Sequence, residues 1–231
     1  MKEKQTVNKR RFFLLLTFLF LTTYITSKTF KKVNYQDISI LGSELFSIDD
    51  LVANSSLNFT TPLIFVKTIF IEKELKKNLS LENVSVFRQV FPFGLKILIK
   101  TRTPIAYSER ILKGKKITGF VDKEGFFLIE RYSDQEITKK LSSKVFGWKE
   151  NYREALSKIL NFQIDNDVIF ITISYSPNGF LTLEEKSLKT ILLGFNPKII
   201  ENQLQVIINL KNQIKENNIL EKIDNIDLTD P

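Results

Sequence analysis

The sequence predicts an α+β protein with a single N-terminal apolar helix, and three observations carry that prediction. Residues 12–27, "FFLLLTFLFLTTYITS", hold no charge. Segments such as "DISILG" and "LKILIK" alternate apolar and polar residues with the period of a half-buried strand. Two stretches, "WKENYREALSKIL" and the residues after Pro197, space their apolar side chains as amphipathic helices do. The expected order is a transmembrane helix, a strand–helix–helix–strand–strand module, and then a mixed β-sheet domain with flanking helices.

The N-terminal run follows "KEKQTVNKRR", which carries five Lys or Arg against one Glu. At ~1.5 Å per residue the run spans about 24 Å as a helix, somewhat less than a hydrocarbon core of ~30 Å. Arg11, Lys28, Lys31 and Lys32 can snorkel to make up the difference. A cleaved signal peptide would require small residues before the cleavage point, yet no Ala precedes Ala53. The reading is therefore an uncleaved anchor. Five basic residues before the run against three after it predict a cytoplasmic N-terminus. The predicted division is a basic tail at 1–11, an anchor at 12–27, a juxtamembrane linker at 28–34, the first module at 35–105 and the second at 106–231.

Composition narrows the chemistry. The 231 residues include no His and no Cys. His-dependent triads, thiol nucleophiles and the usual zinc sites are therefore excluded, and no metal or other cofactor is expected. With eight Gly and no GxGxxG or GxxxxGK pattern, nucleotide-binding loops have no support. The net charge of +8 is dispersed along the chain, as on a solvated surface, and no nucleic-acid partner is expected.

In the first module, Ser47 stands three residues before Asp50, a capping-box spacing that opens a short helix. "TIFIEKELKKNLSL" places Ile71, Leu75 and Leu79 on one helical face, with Glu72 four residues before Lys76. "NVSVFRQVF" and "LKILIKTR" flank Pro92, Phe93 and Gly94 as a hairpin, with Leu98 breaking the alternation. In the second module, "GFV" and "FFLIE" flank Asp122-Lys123-Glu124-Gly125, whose Asp and Gly suit the first and fourth positions of a type I turn. Asp122, Glu124 and Glu109 could instead form an acidic catalytic site. A solvated turn carboxylate of ordinary acidity suits general-acid work poorly, so the turn reading is preferred. "DVIFITISY", "SPNG" and "FLTL" predict another hairpin, and "LKTILLGF" a further strand. A long helix is expected from Pro197, with Ile200, Leu204, Ile207 and Ile214 as its apolar stripe, and "IDNIDL" is expected as a closing strand.

Taken in order, "ISILGSELFSIDDL", "ENVSVFRQVFPFGLKILIKTRTPIAYSER", "GFVDKEGFFL", and "LLGF" before a long helix and "IDNIDL" resemble the FtsQ/DivIB cell-division family over essentially the whole chain. That resemblance implies a non-enzymatic bitopic protein of the bacterial inner membrane, with a POTRA domain beside the membrane and an extracytoplasmic β-domain after it. It implies a scaffold of the divisome at the septum. Such a scaffold would dock small FtsB- and FtsL-like partners near the septal peptidoglycan synthases by strand addition, and so control septum formation. The docking strand maps to Ile223, Asp224, Asn225, Ile226, Asp227 and Leu228. A recruitment surface on the POTRA part maps to Lys76, Asn83, Val84 and Val86. The sequence given ends at Pro231, directly after the mapped strand, whereas relatives usually continue. A shorter docking site, or one lying partly elsewhere, is therefore expected.

Three rival readings are weaker. A membrane-anchored envelope enzyme without His or Cys would need a carboxylate pair or a Ser–Lys dyad. Ser157 with Lys158, and Ser142 or Ser143 with Lys144, are adjacent only in sequence. A POTRA protein of secretion or outer-membrane assembly would carry tandem units or a barrel. Asn54, Asn58, Asn78 and Asn83 each begin an Asn-x-Ser/Thr triplet, the signature of a eukaryotic type II glycoprotein. An Asn- and Ser-rich chain produces such triplets by chance.

Overall fold

The computed structural model describes residues 2–112, 114–217 and 225–229. The chain is mixed α and β and divides into two compact units, Met1–Thr101 and Arg102–Pro231. The division falls a few residues before 105, and Pro104 lies on the side of the second unit. The segment containing that proline belongs with the second unit, where the Ile105 amide donates to the Val121 carbonyl at 2.8 Å.

The first unit opens with a long helix, α1 (Lys2–Thr29). Strand β1 (Ile38–Leu41), helices α2 (Ile48–Ala53) and α3 (Thr68–Asn78), and strands β2 (Asn83–Gln89) and β3 (Gly94–Lys100) follow. The three strands form one sheet in the order β1-β3-β2, with β1 parallel and β2 antiparallel to β3. The start of α2 is set by chemistry visible in the sequence. Ser47 Oγ accepts the Asp50 amide at 3.2 Å, and Asp50 Oδ2 accepts the Ser47 amide at 3.0 Å, which satisfies donors that the first helical turn leaves without partners. Alternation along β3 buries Leu95, Ile97 and Ile99 against Ile71, Leu75, Val84 and Val86, while Leu98 faces outward. Glu72 does more than decorate the exposed side of α3: its Oε1 accepts the Val86 amide at 2.7 Å and so occupies a donor on the outer edge of β2.

Gly94 joins the hairpin to β1. Its φ is +141°, and a Cβ there would lie 1.8 Å from the Asp37 carbonyl oxygen. Gly94→Ala is therefore expected to cost about 1–3 kcal/mol from backbone conformation, and the clash with the Asp37 carbonyl adds to it. The expected readout is faster amide hydrogen exchange across 83–100; unchanged exchange there would show that β1 and β3 need no such close approach.

The second unit contains β4 (Ala106–Leu112), β5 (Lys115–Val121), β6 (Phe127–Ile129), α4 (Gln135–Thr138), β7 (Lys144–Phe146) and α5 (Arg153–Asn166). It continues with β8 (Phe170–Tyr175), β9 (Leu181–Glu185), β10 (Lys189–Gly194), α6 (Ile200–Asn217) and β11 (Asn225–Asp227). Among the described residues the strands form one mixed sheet in the order β11-β10-β9-β8-β7-β4-β5-β6. Parallel neighbours β7 and β8 are linked through α5, and β10 and β11 through the segment containing α6, as parallel pairing demands a crossover. Leu156, Ile159 and Leu160 of α5 and Leu204, Ile207 and Ile214 of α6 enter one core with Val121, Val145, Phe170, Ile173, Leu183 and Ile191.

Two helix starts differ from the sequence reading. Helix α5 begins at Arg153, after a 3₁₀ turn at Glu150–Tyr152, rather than at Trp148. The Trp148 indole is buried and donates to the Gly125 carbonyl at 2.9 Å, which holds that residue outside the helix. Helix α6 begins at Ile200 rather than Pro197, because the Asn196 side chain turns the chain first by accepting the Lys198 amide at 3.0 Å.

Candidate partner-docking edge

Among the described residues, strand β11 is an edge of the eight-stranded sheet and pairs only with β10, in the register Thr190↔Asn225, Ile191↔Ile226 and Leu192↔Asp227. The Leu228 amide donates to the Leu192 carbonyl at 2.9 Å. Main-chain N–H and C=O groups of successive residues in a strand point to opposite sides, so Ile226 also faces inward and Asn225 and Asp227 turn theirs to the open edge. Side chains follow a second alternation. Ile226 and Leu228 pack against the core, while Asn225 and Asp227 are exposed. Of the six residues mapped to the docking strand, Asn225, Ile226, Asp227 and Leu228 have this geometry; Ile223 and Asp224 lie outside the described residues.

The end of the edge is fixed from behind. The Gln203 amide group, buried on α6, donates to the Leu193 carbonyl at 2.8 Å and to the Leu228 carbonyl at 2.5 Å, so one side chain ties β10 and the residue after β11 to the helix. Asp227 Oδ1 accepts the Thr229 hydroxyl at 2.7 Å and its amide at 2.9 Å. Those two bonds hold the Asp227 carboxyl below its usual pKa. Sequence reasoning passed over Gln203, although a polar residue interrupting the stripe Ile200, Leu204, Ile207 was the available signal.

Helix α6 is held to the sheet by an ion pair as well as by its apolar stripe. Lys211 Nζ lies 2.9 Å from Glu185 Oε1, and the buried Glu185 also accepts the Ser187 and Leu188 amides at 2.6 and 3.0 Å. Burial pushes the Glu185 pKa up, but the bonds from Lys211, Ser187 and Leu188 together outweigh it and the net shift is downward. A folded pKa below the unfolded one means that this stabilisation is present above about pH 4.5, the ordinary glutamate value, and is lost as pH falls through the depressed folded value. Unfolding followed by Trp148 fluorescence should therefore become easier below that pH, and Glu185→Gln should flatten the dependence. Identical pH profiles for the two proteins would remove Glu185 as its source.

The residues weighed for catalysis are engaged otherwise. Asp122 is buried, which corrects its reading as a solvated turn carboxylate. Its Oδ1 accepts the Glu124 and Phe126 amides at 3.0 and 2.8 Å, and its Oδ2 lies 2.6 Å from Arg102 Nη1. Glu124 reaches the same Arg102 nitrogen at 2.7 Å, and this bond holds the Glu124 carboxyl below its usual range against the opposing effect of burial. The Gly125 amide closes the turn onto the Asp122 carbonyl at 3.0 Å. Glu109 lies elsewhere on the hairpin, opposite Thr118 and ion-paired with Lys116 at 2.5 Å. Ser157 donates to the Lys123 carbonyl at 2.9 Å, whereas Lys158 pairs with Glu201 at 3.0 Å. Ser143 is buried and receives the Gln163 side-chain amide at 3.4 Å, while Lys144 is exposed on β7.

The second mapped surface is divided by burial. Lys76 and Asn83 are exposed, but Val84 and Val86 are core residues facing α3. Their side chains are turned away from solvent, so of the four mapped residues only Lys76 and Asn83 present side chains at the surface. The place of the two valines on the mapped surface came from the family resemblance by position along β2, and the alternation of the strand already pointed to Val84 as a core residue. The four Asn of the glycosylation-like triplets include two with local structural bonds: Asn54 Nδ2 donates to the Asp50 carbonyl and Asn58 Oδ1 accepts from Thr60 and Thr61.

No family model matches this chain, and no curated protein matches it.

Proposed function

We propose that this chain is a single-span membrane protein acting as a scaffold of the bacterial divisome, in the manner of the FtsQ/DivIB family that its sequence resembles. The observation that carries the reading is β11. Among the described residues it is an edge strand whose main chain at Asn225 and Asp227 faces away from β10 and is open to a partner strand, while Ile226 and Leu228 anchor it to the core. Such an edge binds through main-chain hydrogen bonds, with alternate side chains selecting the partner. Small FtsB- and FtsL-like membrane proteins are the proposed occupants.

Two further features support this reading. The first unit has the connectivity β-α-α-β-β and the sheet order β1-β3-β2, which fits a POTRA domain next to the membrane. Lys9–Thr29 within α1 is long and apolar enough to cross a membrane, with a mean hydropathy of 1.4 over its apolar window. Inserted with the N-terminus in the cytoplasm, it would place both folded units on the outer side. Asp122 and Glu124 are bound to Arg102 at a turn, Glu109 is paired with Lys116, and Ser157 donates to the Lys123 carbonyl, arrangements that suit structural roles.

The test is to fuse a fluorescent protein to the N-terminus and image dividing cells. The scaffold reading expects a band at the division plane. Uniform envelope fluorescence throughout division, from a fusion that complements loss of the native gene, would sink it.

A further inference from the structure

An apolar rim surrounds the point where the chain leaves α1. Tyr24, Phe30, Ile64, Phe65 and Phe91 are 40–65% exposed, although they come from three separate stretches of the first unit. Phe30 meets Phe65 edge-on at 6.2 Å between ring centroids, and Tyr24 stacks on Phe91 at 5.5 Å. Lysines border the rim: Lys28 lies 5.5 Å from the Tyr24 centroid, and Lys31 lies 4.9 Å from that of Phe93, a half-buried ring two residues after Phe91. Large exposed aromatics gathered in one place mark a surface that meets something apolar. Rings bordered by lysines match the chemistry of a membrane interface, where aromatic bodies sit among headgroups and ammonium groups meet phosphates.

The geometry also sets a height. Directly after α1 the chain is stitched to the folded unit: the Leu63 amide donates to the Lys31 carbonyl at 3.0 Å, Lys32 bridges Pro62, and the Val33 amide donates to the Thr61 carbonyl at 3.4 Å. This stitch ties residues 31–33, within the segment read as a linker, to the loop leading into Leu63. Tyr24 precedes the helix end at Thr29 by five residues, or about 7–8 Å at ~1.5 Å per residue. Phe91, stacked on Tyr24, is therefore held below the end of the helix. Its depth matches the ~5–10 Å to which interfacial apolar groups sink.

We propose that this rim is a membrane-contact surface: the β2–β3 turn at Phe91 and the 3₁₀ turn at Leu63–Phe65 dip into the outer leaflet of the membrane that α1 crosses, with Lys28 and Lys31 on anionic phospholipid headgroups. The proposal rests on α1 being a membrane span. Its consequence is mechanical. The first unit is pinned against the bilayer by three points, the span and two aromatic turns, rather than swinging on a tether.

The absence of cysteine makes a direct test simple. Single variants Phe65→Cys, Phe91→Cys, Phe18→Cys and Lys100→Cys of the full chain are labelled with the environment-sensitive fluorophore NBD. They are then reconstituted into phosphatidylethanolamine–phosphatidylglycerol vesicles carrying nitroxide lipids. Phe18 lies within the apolar run, and Lys100 is exposed at the end of the hairpin away from the Phe91 turn. The expected result is blue-shifted, nitroxide-quenched emission at 18, 65 and 91, with solvent-like emission at 100. Quenching at 18 with solvent-like emission at 65 and 91 overturns the rim while leaving the span intact. Solvent-like emission at 18 as well overturns the span and the rim together. Equal quenching at 100 means general adsorption and overturns a localised contact.

Discussion

Asp122→Ala is expected to destabilise the second unit by about 3–5 kcal/mol, the cost of breaking a buried charge pair from one side. The Asp122 and Arg102 side chains are only 5% and 7% exposed, so neither charge regains water when the other is removed. The variant loses more than a Coulomb interaction. Asp122 Oδ1 is the acceptor for the Glu124 and Phe126 amides, and these would be left without it in the turn between β5 and β6. Glu124 keeps one bond to Arg102, and the guanidinium remains stacked 3.7 Å from the Phe126 ring centroid, which limits the damage. Asp122→Asn, which retains an oxygen for the two amides and gives up only the charge, should cost less than the alanine. Arg102→Met with Asp122→Asn should recover part of the loss, since no buried charge is then left alone. Trp148 is a built-in reporter, because its indole donates to the carbonyl of Gly125 in the same turn. Denaturation curves followed by its fluorescence that overlay for wild type and Asp122→Ala would mean that the turn does not need its carboxylate.

That turn also shows where a sequence stops informing. Its type was legible, because Asp and Gly at the first and fourth positions act locally. The burial of Asp122 was not, because the partner that permits it, Arg102, comes 20 residues earlier and meets it only once the sheet has formed. The same division runs through the rest of the fold. The capping box of α2, the Pro–Phe–Gly turn and the stripes of α5 and α6 are short-range signals and match the elements observed. Strand β7 left no comparable trace. It is three residues long and lies between β4 and β8, so its place depends on its neighbours and not on its own alternation. Val84 was legible as strand core, and Val86, two residues on, shares its face; what the sequence did not show is that α3 is the element packed over them. For β11 the strand itself was legible from "IDNIDL". That it lies at an edge is a property of strand order, and the brace at Gln203 depends on a helix residue 25 positions before the Leu228 carbonyl it holds.

Asn225→Pro together with Asp227→Pro is expected to abolish the proposed docking of a partner strand on β11, while Asn225→Ala leaves it intact. The contrast follows from which way the main chain points. Amides at 225 and 227 face the open edge, so proline there removes two donors from the partner's ladder without taking one from the pairing with β10. Edge positions are where sheets tolerate proline. Each lost hydrogen bond is worth about 0.5–1.5 kcal/mol, and the two rings add steric obstruction to the approaching strand, so the double variant should lose on the order of 10–100-fold in affinity at the least. Alanine at 225 removes an exposed side chain and keeps the N–H, so a ladder-based interface should barely register it. Ile226→Pro is the opposite control: it removes an inward donor and should release β11 from β10 and expose Ile226 and Leu228. The measurement is pull-down of FtsB- and FtsL-like partners with the full chain in detergent, alongside imaging of the fluorescent fusion at the septum. Equal loss from Asn225→Ala and from the double proline variant would mean that the side chain, not the strand edge, carries recognition. Undiminished pull-down by the double proline variant would move the docking site off β11 altogether.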